Sequence, residues 1–208
     1  MFTLREGFTA ENIPFEVEQK ITGVSYHKND RIQLSDLAYL NVRYINFNGE
    51  KCNGELICNK KIAKEMLEIF SELFENKYLI EKIRLVDEYD ADDDKVMTDN
   101  NSSCFNYRTI ADTDVISMHG MGLAVDINPL YNPYIVGEKI MPVASKPYAD
   151  RTKDFQHKID EQDLCYRIFT KYGWKWGGHW KNSKDYQHFY KPEKGIKRII
   201  SKIKRVVH

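Results

Sequence analysis

Two histidines and two aspartates in the second half of the chain have the types and spacing of a hydrolytic metal site. His119 and Asp126 lie in the run SMHGMGLAVDIN, and Asp185 and His188 lie in the run DYQHF. They supply two imidazoles and a carboxylate for a zinc ion, plus a second carboxylate, Asp185, where a general base would stand. Catalytic zinc usually has three protein ligands and a water, whereas structural zinc usually has four protein ligands. This count predicts a hydrolase with one catalytic zinc.

The glycines between His119 and Asp126 allow these two side chains to converge. Residues seven apart on one straight strand point to opposite faces. Gly120 and Gly122 let the chain turn, so we expect His119 on a loop and Asp126 on the strand that follows. A zinc ion at such a site lowers the pKa of its bound water from 15.7 towards about 7. Asp185 would then take the proton and return it to the leaving amine.

The expected strands lie in the middle of the chain and the expected helices flank them. This order predicts an α+β fold with a small central antiparallel sheet and flanking helices. Asn59 is expected to cap a helix, and Gln162 to Tyr172 forms another. Two β-rich runs, Cys104 to Ile110 and Leu123 to Ile127, are predicted as adjacent strands. Asp87 to Asn101 is predicted as a solvated acidic loop. We divide the chain into an N-terminal arm (1–30), a zinc peptidase domain (31–191) and a basic C-terminal helix (192–208).

Composition excludes several other classes of protein. The chain has 208 residues, 42% of them hydrophobic, which is enough for one good core. Basic and acidic residues number 31 each, so no basic field indicates nucleic acid. No apolar run reaches the roughly 18 residues of a membrane span, and the N-terminal residues do not resemble a signal peptide. The four cysteines lack C-x-x-C spacing, which argues against a zinc ribbon, and reduced thiols are favoured over a local Cys52–Cys58 disulfide.

Three motifs together resemble a known family of zinc peptidases. They are S-x-H-x-x-G-x-A-x-D from Ser117, W-G-G-x-W from Trp176 and D-x-x-H-F from Asp185. This set resembles the D-alanyl-D-alanine carboxypeptidase and L-alanyl-D-glutamate endopeptidase family, which includes vancomycin-resistance carboxypeptidases and phage endolysins and shares its fold with the hedgehog signalling domain. The resemblance spans about residues 35–191. It departs at His179, where the family normally has an acid.

The resemblance implies a role for each matching residue. It implies zinc ligands His119, Asp126 and His188, with Asp185 as general base. Arg108 matches an arginine that would hold a substrate carboxylate or stabilise the oxyanion. Ser117 would bind substrate or support His119, and Trp176 and Trp180 are candidate walls of the cleft, with buried aromatic residues as the alternative.

The function expected from these motifs is hydrolysis within the peptidoglycan stem peptide. W-G-G-x-W favours the L-alanyl-D-glutamate endopeptidase type over a D-alanyl-D-alanine carboxypeptidase. The alternative from a different class is a zinc-bound interaction module without turnover, which would not need Asp185. The expected location is the bacterial envelope, the extracellular space or a phage lysin. The C-terminal helix would dock on the domain or bind an anionic wall polymer or membrane surface.

Overall fold

The largest sheet has four antiparallel strands and is built by the first third of the chain. The computed structural model describes residues 1–110 and 113–192. In chain order, the first elements are β1 (Phe2–Arg5), β2 (Phe8–Asn12), α1 (Phe15–Ile21), β3 (Leu37–Ile45), β4 (Lys51–Asn59) and α2 (Lys60–Glu75). The strands lie in the order β1-β2-β3-β4, each paired with its neighbour in sequence.

Alternation along β3 gives this sheet two buried faces. Leu40 and Val42 belong to the main core, which includes the apolar side of α2. Leu37 and Tyr39 point the other way and pack in a second cluster with Val17 of α1. Both faces of β3 are therefore covered, and this strand lies at the centre of the packing.

The N-terminal arm predicted for residues 1–30 is a part of the folded domain. β2 pairs with β3 from Thr9 opposite Asn41 to Asn12 opposite Ala38. Phe8 is 1% exposed, in the main core. The polar composition concealed this because β1 and β2 add to the edge of the sheet and contribute few core side chains.

The described residues after α2 form three smaller sheets and two short α-helices. Their elements are β5 (Lys82–Ile83), α3 (Asp93–Thr98), β6 (Asn101–Ser102), β7 (Ala124–Asp126), β8 (Tyr134–Val136), β9 (Lys139–Met141), α4 (Leu164–Lys171), β10 (Lys175–Trp176), β11 (Lys184–Asp185) and β12 (His188–Tyr190). Two sheets are antiparallel, in the orders β10-β12-β7 and β11-β8-β9, and β5 pairs with β6 in parallel. The α+β class is confirmed, with several small sheets instead of one central sheet.

Two predicted segments have a different local structure. The acidic loop contains a 3-10 helix, Val86–Tyr89, and α3, which begins because the Asp92 carboxylate accepts hydrogen bonds from the backbone N–H groups of Asp94 and Lys95. Residues 104–110 form no strand. Their backbone bonds to neighbouring loops, as when the Tyr107 N–H donates to the Ser25 carbonyl.

The predicted basic helix, residues 192–208, lies almost entirely outside the described residues. Neither its docking nor its tether role is therefore addressed by the structure. Within the described ranges, no helix has the length and apolar character needed to cross a membrane.

Gly122 joins the strand that carries Asp126 to the start of α2. Its φ is +65°, in the left-handed region, and its carbonyl accepts a hydrogen bond from the Asn59 backbone N–H at 2.9 Å. Asn59 caps α2 through its side chain, which accepts from the Lys61 N–H. A Cβ on Gly122 would lie 2.6 Å from the Asn59 nitrogen, so only glycine fits here.

We therefore expect Gly122→Ala to lower the free energy of unfolding by about 2–6 kcal/mol, because left-handed strain and overpacking each cost about 1–3 kcal/mol. Gly49→Ala is the matched control, since Gly49 has φ +80° but nothing within 4 Å of the added Cβ. It should lose only the strain contribution. If urea denaturation gives the same loss of unfolding free energy for both variants, the contact between the added Cβ and Asn59 contributes nothing.

Candidate metal centre

The pairing of β12 with β7 places His188 directly opposite Asp126. Residues directly opposite on antiparallel strands have Cβ atoms about 4.5–5.5 Å apart. The register thus brings together two side chains that are far apart in sequence. The backbone of β7 is held on its other side by Ser103, which exchanges hydrogen bonds with Asp126.

His119 reaches the same place from the turn that precedes β7. The Ser117 Oγ accepts a hydrogen bond from the Gly120 N–H at 2.9 Å, and the Gly122 N–H donates to the His119 carbonyl. Ser117 is 5% exposed. Of the two roles expected for Ser117, this geometry supports the shaping of the turn around His119 and gives no support to substrate contact.

The three side chains form a compact cluster of possible ligand atoms. His188 Nδ1 lies 3.0 Å from His119 Nε2 and 3.0 Å from Asp126 Oδ1, and His119 Nε2 lies 3.3 Å from Asp126 Oδ2. Ligand atoms about 2.0–2.1 Å from one tetrahedral ion lie about 3.4 Å apart. This donor set therefore fits a single small cation, and it is the cluster of metal-ligand type found among the described residues.

A backbone carbonyl fixes the tautomer of His119. Nδ1 lies 2.6 Å from the Cys104 carbonyl oxygen, which accepts only, so Nδ1 carries the proton and donates it. In the neutral ring Nε2 is then the unprotonated nitrogen, and it faces the cluster. Metal-binding histidines typically have such a partner on the other ring nitrogen. Cys104 contributes through its backbone, so its residue type gave no signal of this role in the sequence.

The charges of the cluster shift the pKa of each member. Burial raises the pKa of Asp126, but the two neighbouring imidazoles lower it by more than burial raises it. The pKa of Asp126 therefore lies far below the usual range. Burial lowers the pKa of His119, and the Asp126 carboxylate more than offsets this. Burial also lowers the pKa of His188, and here Asp126 does not compensate fully. The cluster thus contains a permanent carboxylate and at least one neutral imidazole near neutral pH.

Asp185 lies next to this cluster and is only weakly held. A Cβ on Gly177 would lie 2.8 Å from the Asp185 Cβ and 3.3 Å from the His188 Cβ, so Gly177 makes room for both. The Asp185 Oδ1 is buried and has no hydrogen-bond partner among the described residues. Burial and then Asp126 raise the pKa of Asp185 well above its usual value, against the opposing effects of Gln187 and Arg108. Two carboxyl groups with pKa values driven apart are typical of divided acid–base roles.

Arg108 lies near the cluster but is anchored on its outer side. Its Nε lies 2.6 Å from Asp93 Oδ2, and the side chains of both residues are more than a third exposed. Asp93 Oδ1 in turn accepts a hydrogen bond from the Asn106 amide. Within the described residues, no hydrogen bond engages either Nη of Arg108.

The two tryptophans have different surroundings. Trp176 is 5% exposed, and its indole N–H donates to the Tyr186 carbonyl at 2.8 Å. The ring therefore packs in the core, as the alternative of a buried aromatic residue expected, and its role as a wall of the cleft stays a prediction. The half-buried ring of Trp180 has its centroid 5.2 Å from that of His188, so it remains a candidate wall.

His179 turns away to a partner of its own. Its Nε2 lies 2.8 Å from Glu161 Oε1, in an exposed pair. Its ring packs edge-on against Trp176. The residue that departs from the family motif is thus tied to a neighbouring acid and is not part of the cluster.

A buried His–Asp–His cluster beside a weakly held carboxylate is the donor set of a mononuclear metallohydrolase. Residues 111–191 match the family described as D-alanyl-D-alanine carboxypeptidase. This segment contains all four residues of the centre, and over it the resemblance to this peptidase family is confirmed. Searches of curated proteins and of solved structures found no match to the chain.

Proposed function

We propose that this protein is a zinc peptidase that hydrolyses a peptide bond in the stem peptide of peptidoglycan. The observation that carries the proposal is the convergence of His119, Asp126 and His188, with ligand atoms 3.0–3.3 Å apart, inside the segment that matches the peptidase family. The matched family is in general zinc-dependent, and this set of ligand atoms suits zinc.

The residues around the centre divide the work of hydrolysis. His119, Asp126 and His188 would hold the zinc, which when bound supplies a Lewis acid and a water of lowered pKa. Asp185 accepts a proton from the attacking water and passes it to the nitrogen of the leaving amine. The free Nη groups of Arg108 donate hydrogen bonds to a substrate carboxylate or to the oxyanion. Trp180 bounds the space beside His188.

The alternative of a zinc-bound module without turnover is disfavoured by Asp185. A structural site needs no carboxyl group with an unpartnered buried oxygen beside its ligands, since such an oxygen costs free energy. Its position next to His188 is explained by proton transfer.

Two bonds in the stem peptide are candidates. The W-G-G-x-W element favours the L-alanyl-D-glutamate bond, whereas the description of the matched family favours the bond between two terminal D-alanines. Both substrates are anionic, which fits a centre with an arginine and a divalent cation. From this substrate we propose that the protein acts in the bacterial envelope or outside the cell, or that it is a phage-encoded lysin.

Defined peptides distinguish these bonds. Zinc-loaded protein would be incubated with a stem peptide that ends in D-alanyl-D-alanine and with one that lacks the terminal residue, and the products weighed by mass spectrometry. Endopeptidase action releases L-alanine from the amino-terminal side of both peptides. Carboxypeptidase action releases D-alanine from the first peptide only. Recovery of both peptides intact, with zinc bound, would contradict the proposed function.

Arg108→Lys tests the proposed substrate contact. Lysine keeps the charge but loses the planar fork, so kcat/KM should fall by about 10² while zinc content stays unchanged. Arg84→Lys is the matched control, because Arg84 forms an exposed ion pair with Glu88 at 3.4 Å. If both variants keep full activity, Arg108 is a surface ion-pair residue like Arg84.

A further inference from the structure

The long segment between β7 and α4 is tied together by one arginine, Arg151. Its Nη1 donates to the Tyr131 carbonyl at 2.9 Å, and its Nη2 donates to the Ile159 carbonyl at 2.7 Å and the Asn132 amide oxygen at 3.2 Å. These partners come from both ends of the segment. Burial lowers the pKa of Arg151 to about 10, so the guanidinium stays charged at neutral pH.

The same guanidinium lies under the residue that follows Asp185. Its Cζ is 4.3 Å from the centre of the Tyr186 ring, within the range of a cation–π contact. The backbone of Tyr186 is also fixed, since its N–H donates to the Pro133 carbonyl and its carbonyl accepts from Trp176. Arg151 therefore fixes the side chain of a residue whose backbone is already held on two sides.

Asp185 depends on this support because its own carboxyl group has few partners, of which the Gln187 side chain is one. Oδ1 has no hydrogen-bond partner among the described residues, and β11 is only two residues long. The pairing of Asp185 with Tyr134 of β8 gives the strand its only ladder neighbour in the described chain. The backbone of β11 therefore sets the position of the carboxyl group. The residues that contact Asp185 and Tyr186 in turn hold this backbone in place.

Arg151 also connects to the strand that carries Asp126. The Asn132 side chain accepts from Arg151 and from the Ile159 N–H, and it donates to the Asn128 carbonyl at 3.0 Å. Asn128 follows directly after Ile127, two residues beyond Asp126. One side chain thus contacts both the segment that leads from the metal cluster and the segment that holds the proposed base.

We propose that Arg151 is a positioning residue that sets the Asp185 carboxyl group against the metal cluster through the ring of Tyr186. This rests on the proposed function for its catalytic consequence. Displacement of a reacting group by about 1 Å can cost about 100-fold in rate. Loss of Arg151 or of the Tyr186 ring should therefore lower kcat by up to about 100-fold, with KM and zinc content unchanged.

The test is a set of double-mutant cycles on the full zinc-loaded chain. Arg151→Met and Tyr186→Leu would each be made in the wild type and in the Asp185→Asn background, with kcat, KM and zinc content measured. Tyr186→Leu leaves the hydrogen bonds of Arg151 in place and carries the test if Arg151→Met does not fold. Tyr186→Phe keeps the ring, so its kcat should equal that of the wild type. Arg5→Met is the control, since the Arg5 guanidinium lies 4.8 Å from the Phe8 ring in the main sheet.

Positioning predicts that Arg151→Met and Tyr186→Leu each lower kcat in the wild type and have no further effect once Asp185 is replaced, since residues that act as a unit are not additive. Equal fold losses in both backgrounds, or a loss in Tyr186→Phe as large as in Tyr186→Leu, would overturn the proposal. Hydrogen exchange of residues 184–187 gives a readout that needs no activity. Faster exchange in Arg151→Met supports positioning even if no peptidoglycan substrate is cleaved, and unchanged exchange contradicts it.

Discussion

Asp185→Asn is expected to lower kcat by about 10²- to 10⁴-fold, the usual contribution of general acid–base catalysis, while one zinc per chain is retained. Asparagine has nearly the same shape, so the packing against Gly177 is preserved, but the amide cannot accept and return a proton. The zinc should stay because Asp185 contributes no atom to the His–Asp–His cluster. Steady-state kinetics with elemental analysis of the same preparation measures both quantities.

Asp163→Asn is the matched control for this substitution. Asp163 is also half-buried, and its pKa is raised to about 6, chiefly by burial, but it caps α4 through the Cys165 N–H. Asparagine caps a helix equally well, so this variant should keep full activity. Full activity in Asp185→Asn with zinc bound would remove Asp185 from the mechanism.

The second large effect is expected from the ligands themselves. We expect zinc affinity to fall in each of the variants His119→Ala, Asp126→Ala and His188→Ala, because two remaining ligands hold zinc poorly. The loss should exceed about 10- to 100-fold, which is the usual cost of removing a residue that only hydrogen-bonds to a ligand. Activity should disappear with the metal. Zinc competition with a chromophoric chelator gives the affinity of each variant.

His179→Ala is the matched control for the ligand variants. His179 lies nine residues before His188 in sequence but pairs with Glu161 on the surface. Its replacement should leave zinc affinity unchanged. A ligand variant that binds zinc as tightly as His179→Ala would lose its place in the proposed centre.

The residue types of the centre were predictable because metal chemistry restricts them. Histidine and aspartate at His119, Asp126 and His188 are visible in the sequence, and Gly120 and Gly122 indicated a turn between the first two. The register that sets His188 opposite Asp126 was not predictable, since it depends on which of several short strands pair. The backbone carbonyl of Cys104 that orients His119 was equally hidden, because every residue has one.

Long-range partners account for most of the remaining differences. Residues 1–30 look polar in isolation, but β2 finds a partner in β3, so the predicted arm becomes an edge of the sheet. Trp176 was expected near the cleft because it belongs to a family motif, and the contact that the sequence did not reveal is its bond to the Tyr186 carbonyl. The acidic loop that seemed merely solvated provides Asp93, which anchors Arg108. Each of these contacts joins residues that are not neighbours in sequence, so no local pattern predicts it.

The most direct test of a single catalytic zinc is a titration of metal-free protein with zinc while hydrolysis of purified peptidoglycan is followed. Protein freed of metal by chelation should be inactive, and activity should rise in proportion to added zinc and reach a plateau at one equivalent per chain. New amino groups in the released fragments, identified by mass spectrometry, would show that a peptide bond is cut. Hydrolysis that persists in fully metal-free protein, or no hydrolysis with one zinc bound, would contradict the account.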